Sequence, residues 1–254
     1  TPAGQAGPRS ALVSQHRQPS PSIMFFIGSG ALCYQAVDFA LRAGHGVDGV
    51  YCPPGDAAAK RLERRGVKVT VGEQPGEDLP ALLAQVADGV VFSINNAHLL
   101  ADELLRCGPR FFNIHNGLVQ RYRGIAEVCI FAALCRGEAR YGATLHELLP
   151  GQKVDTGPVV AQLDFDIGAD DGFADVMRQS LATCQRLFEL QLAGILAGRA
   201  RPVPVALEDR AFSYHSLPGL IAACDDPSRL ARASRLGPYA GFFARLNAAL
   251  AEPR

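Results

Sequence analysis

The chain has 254 residues, 48% of them hydrophobic and 20% charged, which is enough apolar material for one sizeable core with a small appendage. Twenty-five Lys and Arg balance twenty-five Asp and Glu, so no overall field favours nucleic acid or another polyanion. The seven cysteines have no C-x-x-C spacing and sit mostly in apolar runs, which reads as reduced thiols of a cytoplasmic protein and argues against a disulfide framework or a metal site.

No apolar run approaches the roughly 18–20 residues needed to span a bilayer, so no membrane partner is expected. Residues 1–21 are rich in Pro, Gly, Ser, Gln and Arg and lack the apolar centre of a secretory signal; a disordered leader is expected there. From Ser22 short β-like runs alternate with helical ones, the pattern of a parallel sheet covered by helices. SIMFFIG (22–28) predicts a buried strand, and Gly28-Ser29-Gly30 turns it into a helix over 31–43. A second strand is predicted over 46–52 and a helix over 56–65, whose Lys60, Arg61, Arg64 and Arg65 suit a solvated face. Strands at 68–72, 87–94 and 110–115 follow, with helices near 78–86 and 99–106 between them.

After a loop at 116–124, a helix over 125–136 leads to two β-like runs, 141–149 and 157–167, which read as a hairpin. Leu181, Cys184, Phe188, Leu192 and Ile195 then recur at steps of three and four, the apolar stripe of a helix reaching about 197. Residues 199–254 hold a Pro-rich connector, a polar stretch around Ser213–His215 and an amphipathic helix near 239–250, too little for a second catalytic domain.

Two stretches carry chemistry. Gly28-Ser29-Gly30 could open a dinucleotide fingerprint, but Cys33 occupies the third-glycine position and no acidic residue ends the second strand. A nicotinamide-dependent oxidoreductase is therefore the weaker alternative, and a cofactor titration would separate it. The stronger signal is RFFNIHNGLVQRYRG (110–124): an apolar strand delivers Asn113 and His115, two apart and so on one side, to its carboxyl end. Asp155, in a loop flanked by Gly151 and Gly157, completes an amide, an imidazole and a carboxylate suited to acyl transfer.

NIHNGLVQRYRG, followed after a helix by GATLHELLPGQKVDTGPVVAQ, resembles the folate-dependent formyltransferases, whose members act on glycinamide ribonucleotide, methionyl-tRNA, amino sugars or hydroxyornithine. The similarity covers about 22–198, expected to be the catalytic domain, with 199–254 a short extension packing on it or on a partner subunit. The resemblance implies an α/β, Rossmann-like fold, a mostly parallel twisted sheet with helices on both faces, and 10-formyltetrahydrofolate as formyl donor. It makes Asn113, His115 and Asp155 the catalytic set, with His146 supporting them. It puts the folate in a cleft between Ser93, Asn95, Asn96, Ala97, His98 and Leu99 on one side and Gly151 and Val154 on the other. Gly28, Ser29, Arg121, Arg123 and Glu127 are expected on the acceptor side, where guanidinium groups suit a phosphate or carboxylate.

The chain departs from relatives at Asn116, where they usually have Pro, and at Val119-Gln120, where they often have Leu-Pro. Its extension of about 56 residues is too short for the C-terminal domain of the tRNA enzyme, so a small-molecule amine is expected: a modified amino acid, a peptide-type precursor or an amino sugar. A non-catalytic folate-binding protein would not need the Asn-His-Asp set. Oligomeric state stays open, a homodimer included.

Overall fold

The computed structural model describes residues 24–83 and 89–251; the leader expected over 1–21 lies outside them. The elements in chain order are β1 (Met24–Gly28), α1 (Gly30–Arg42), β2 (Gly49–Cys52), α2 (Ala57–Glu63), β3 (Val69–Val71), α3 (Pro75–Asp78), α4 (Pro80–Leu83), β4 (Val90–Ile94), α5 (Asp102–Leu105) and β5 (Arg110–His115). Then come α6 (Ala126–Cys135), β6 (Arg140–Leu148), β7 (Val159–Asp166), α7 (Phe173–Leu196), α8 (Leu217–Ala223), α9 (Pro227–Ala233) and α10 (Ala244–Ala251).

One seven-stranded sheet runs in the order β3-β2-β1-β4-β5-β6-β7. The first five strands are parallel, and β6 and β7 add an antiparallel hairpin at one edge. Alternation along the strands explains the layers. Met24 and Phe26 of β1 and Phe92 of β4 join α1 and the Cys184, Leu187, Phe188, Leu192 and Ile195 stripe of α7 on one face. Phe25, Ile27 and Val91 point the other way, onto Leu79, Leu83 and Leu104. The fold is thus a mostly parallel α/β sheet with helices on both faces.

The chain reverses strand order between β1 and β4, and the crevice outside the carboxyl ends at such a switch point is where open α/β sheets hold ligands. Ser29 follows β1 at this crevice, and its hydroxyl donates to the Asn95 carbonyl beyond β4 at 2.8 Å.

Some boundaries moved. The helix expected near 78–86 is two short helices, because Pro80 has no N–H to continue the first. The extension holds two helices, α8 and α9, besides the one expected near 239–250, which starts at Ala244. Their signals were present: Asp226 accepts from the Ser228 and Arg229 amides as N-cap and Pro227 follows in the first turn. Leu217, Leu230, Leu236 and Leu246 of the extension are buried with Tyr122, Ile130, Phe131 and Tyr141, so this segment covers α6.

Candidate active site

The site grows from the β5–β6 pairing. Asn113 lies directly opposite His146, and His115 opposite Thr144. The β6–β7 pairing shifts register at this point: Leu145 lies opposite Ala161 and His146 opposite Val159, which leaves Val160 of β7 as the extra residue. Asp155 enters from the β6–β7 connection with φ of 52°; it and Asn95, at 50°, are the two non-glycine residues with positive φ among the described residues. Asp and Asn tolerate this conformation better than other side chains. Both instances fall in loops at the ligand-holding edge, where such conformations tend to gather.

The three sequence-derived residues and His146 form one cluster. Asp155 Oδ2 accepts the Gly124 amide at 2.9 Å and lies 3.3 Å from His115 Nδ1; Oδ1 lies 3.4 Å from His146 Nε2. His115 is 5% exposed, His146 0% and Asp155 9%, so these groups interact in a medium of low dielectric. Burial alone would raise the Asp155 carboxyl, but His115, His146 and the Gly124 amide outweigh it and hold the group well below the usual carboxylate range.

His115 Nε2 lies 2.7 Å from the Tyr122 carbonyl, which can only accept, so this nitrogen carries a proton and donates. Gly117 permits that contact, since a Cβ there would meet both His115 Nε2 and the Tyr122 oxygen at 2.6 Å. His146 Nε2 stands between Asn113 Nδ2 at 3.1 Å and Asp155 Oδ1, while its buried Nδ1 has no hydrogen-bond partner. Nε2 cannot both accept from Asn113 and donate to Asp155; an N–H buried without an acceptor is the costlier choice, which puts the proton on Nε2, facing the carboxylate, and leaves the Asn113 N–H groups for another acceptor. Asn113, half-buried, is the polar side chain of the cluster nearest solvent.

The departures from the family pattern are compensated by side chains. Asn116 accepts from the Ser180 hydroxyl through Oδ1, and its carbonyl accepts from Tyr141 at 3.0 Å. These bonds tie the loop to α7 and β6, where a proline would have stiffened it. Val119 N donates to Thr144 Oγ1 at 3.2 Å, and Gln120 Oε1 accepts from Gln162 at 2.7 Å.

The expected folate-side loops are adjacent. Gly151 N donates to Asp102 Oδ1 at 2.8 Å, pinning the loop before Asp155 to the segment after β4. Leu99, 79% exposed, and Val154, 39% exposed, leave apolar surface uncovered there. Ser93 is buried at the end of β4, Asn95 Nδ2 donates to the Ser29 carbonyl at 3.0 Å, and Asn96 folds onto His98 in a local turn that leaves Ala97 and His98 exposed. His98 forms no bond to the cluster of Asn113, His115, His146 and Asp155.

The acceptor-side residues divide. Arg121 does not join the cluster: Glu138 holds its guanidinium at 2.7 Å and Glu208 at 3.4 Å. Arg123 is 4% exposed, donates to the Glu208 carbonyl, and leaves Nε without a partner. Glu127 accepts from the Tyr214 hydroxyl, a residue the sequence reading missed because it lies in the extension. Phe212, also missed, brackets Gly124: its N–H donates to the Arg123 carbonyl at 2.7 Å and its carbonyl accepts from Ile125 at 2.9 Å.

A family model described as formyl transferase matches residues 23–188. The chain belongs to the formyl transferase family. Solved structures of similar fold include a 4-N formyltransferase from Francisella tularensis, with TM-score 0.69 and 18% identity over 86% of this chain and 90% of that one. A glycinamide ribonucleotide transformylase from Symbiobacterium toebii matches with TM-score 0.61 and 24% identity over 76% and 94% of the two chains. An N-formyltransferase from Helicobacter canadensis, solved with folinic acid and dTDP-3-aminofucose, matches with TM-score 0.60 and 17% identity over 76% and 71%. At these identities the likeness is one of fold, and the residues of this formyl transferase carry the chemical argument.

Proposed function

We propose that this formyl transferase moves a formyl group from 10-formyltetrahydrofolate to the amine of a small-molecule acceptor: a modified amino acid such as hydroxyornithine, a peptide-type precursor or an amino sugar. The observation that carries the reading is the buried Asp155 carboxylate with two imidazoles and the Gly124 amide around it, beside the half-buried Asn113 amide. Hydrolysis and acyl transfer share such sets. What favours transfer from a folate is the pinned pair of loops with exposed Leu99 and Val154, an apolar rim suited to a flat ring, and folinic acid in the Helicobacter canadensis relative of the same fold.

In this reading the acceptor amine attacks the formyl carbon, and its lone pair becomes the new C–N bond. The oxyanion that forms is met by the Asn113 amide and by His115, whose Nε2 proton is shared with the Tyr122 carbonyl in the resting site. Asp155 receives the proton the amine loses, and that proton is passed to the folate nitrogen as its bond to the formyl carbon breaks, so that tetrahydrofolate leaves as the neutral amine. Gly28, Ser29, Arg123 and Glu127 border the acceptor, with Arg121 committed to Glu138.

Single-turnover transfer with Asn113→Ala, His115→Ala and Asp155→Asn tests this. Losing an oxyanion donor typically costs about 10²–10³ in rate and an acid–base group about 10²–10⁴. Folate affinity should stay within a few-fold. Near wild-type transfer in all three would end the reading. A panel of amines scored by tetrahydrofolate release would name the acceptor.

A further inference from the structure

A cavity of about 560 Å³ lies at the far end of α6, between Cys135-Arg136, the 210–216 segment and the helices α8 and α9. Three arginines line it, Arg136, Arg210 and Arg229, against a single acid, Asp225. Among the described residues neither Arg136 nor Arg210 forms an ion pair; Arg229 pairs with Asp226 at 3.3 Å. The nearby Glu138 carboxylate is already taken by Arg121 and by the Tyr122 hydroxyl.

The arrangement is built. Arg136 is held by aromatic faces, its guanidinium carbon 5.1 Å from the Phe212 ring centroid and 5.7 Å from that of Tyr122. Those two rings are themselves stacked at 5.8 Å. Arg229 lies against Gly137, where a Cβ would come within 2.7 Å of its guanidinium carbon, so the absence of a side chain there makes the room. A solvated helix face would let its arginines spread; here three are turned to one concavity.

We propose that this cavity binds a small phosphate ester, of sugar-phosphate or mononucleotide size. The lining carries a net charge of plus two, or plus one once the Asp226 carboxylate on Arg229 is counted, opposite in sign to a phosphate monoester at neutral pH. Guanidinium forks suit its oxygens. The volume lies in the range of small-molecule sites and exceeds what bare phosphate needs. The site is separate from the catalytic one: α6 has 10 residues, so its two ends are about 15 Å apart, and Glu127 and Asp155 belong to the other end. Phe212 joins them, since it lines the cavity and brackets Gly124, whose amide bonds Asp155.

The test uses the full chain and ribose 5-phosphate as probe, with ribose as the uncharged control, in calorimetric titrations at physiological salt. Saturable binding of the phosphate ester but not of ribose is expected. Arg210→Ala, at an exposed side chain that supports no fold contact, and Arg136→Lys, which keeps the charge and loses the fork, should each weaken it roughly ten-fold or more. Arg199→Ala, an exposed arginine elsewhere, should not. Bound probe should slow exchange of the Phe212 and Ile125 amides. No saturable binding, equal binding of ribose, or affinity unchanged in Arg210→Ala would overturn the proposal, the last whether or not Arg136→Lys folds.

Discussion

Asp155 shows how much one residue is asked to do. It sits at positive φ, accepts from the Gly124 amide and faces two imidazoles while 9% exposed. Its depressed native pKa makes it a source of stability at neutral pH. Because the folded group titrates below the unfolded one, that contribution is complete above the unfolded carboxylate value of about 4 and is lost as pH falls below it. Asn tolerates the same backbone conformation, so Asp155→Asn removes charge without adding strain. The stability difference between wild type and Asp155→Asn is therefore expected to stay flat from neutral pH to about 5 and to narrow below about 4. Denaturant titrations across that range check it; a difference that widened in acid would contradict the ion-pair account.

At the scale of elements, the loop from β5 to α6 matters most. Gly117 lets the backbone close over the bond from His115 to the Tyr122 carbonyl, and Gly117→Ala places a methyl group 2.6 Å from both atoms. Overpacking of this kind costs about 1–3 kcal/mol. Its larger effect is expected on transfer, which should fall about 10²-fold as His115 is displaced, because small misplacements near the reacting atoms are costly. Thermal unfolding and single-turnover rates measured together separate the two, and an unchanged rate would free His115 from this anchor. The facing loops after β4 and before Asp155 make a second element-level test. Hydrogen exchange with a stable folate analogue bound should protect both Ser93–Leu99 and Pro150–Asp155, and protection of neither would move the folate elsewhere.

For the molecule as a whole, the extension is part of the frame. Phe212, Leu217, Leu230, Leu236 and Leu246, each at most 5% exposed, close over α6, and burying one such side chain is worth about 1.5–3 kcal/mol. Truncation after Gly198 is expected to lower Tm by many degrees and abolish transfer, since it strips both the cover of α6 and the Phe212 bonds beside Gly124. A truncated chain with wild-type Tm and turnover would show the extension to be dispensable.

Local pattern alone determined the order of strands and helices as far as α7, because alternation with period two and stripes at three and four are properties of consecutive residues. It also marked Asn113, His115 and Asp155, whose polar side chains interrupt an apolar strand end and a glycine-flanked loop. The three-dimensional structure alone decided the rest. That Asn113 faces His146 follows from antiparallel register across 33 positions, which no local pattern encodes. That Arg121 is bound by Glu138 while Arg123 is buried with Nε unpaired depends on side chains from distant segments, so two arginines alike in sequence have different surroundings. Phe212 and Tyr214 reach the site from a stretch that reads as connector, because packing on α6 is a long-range contact and leaves no periodic trace in the extension itself.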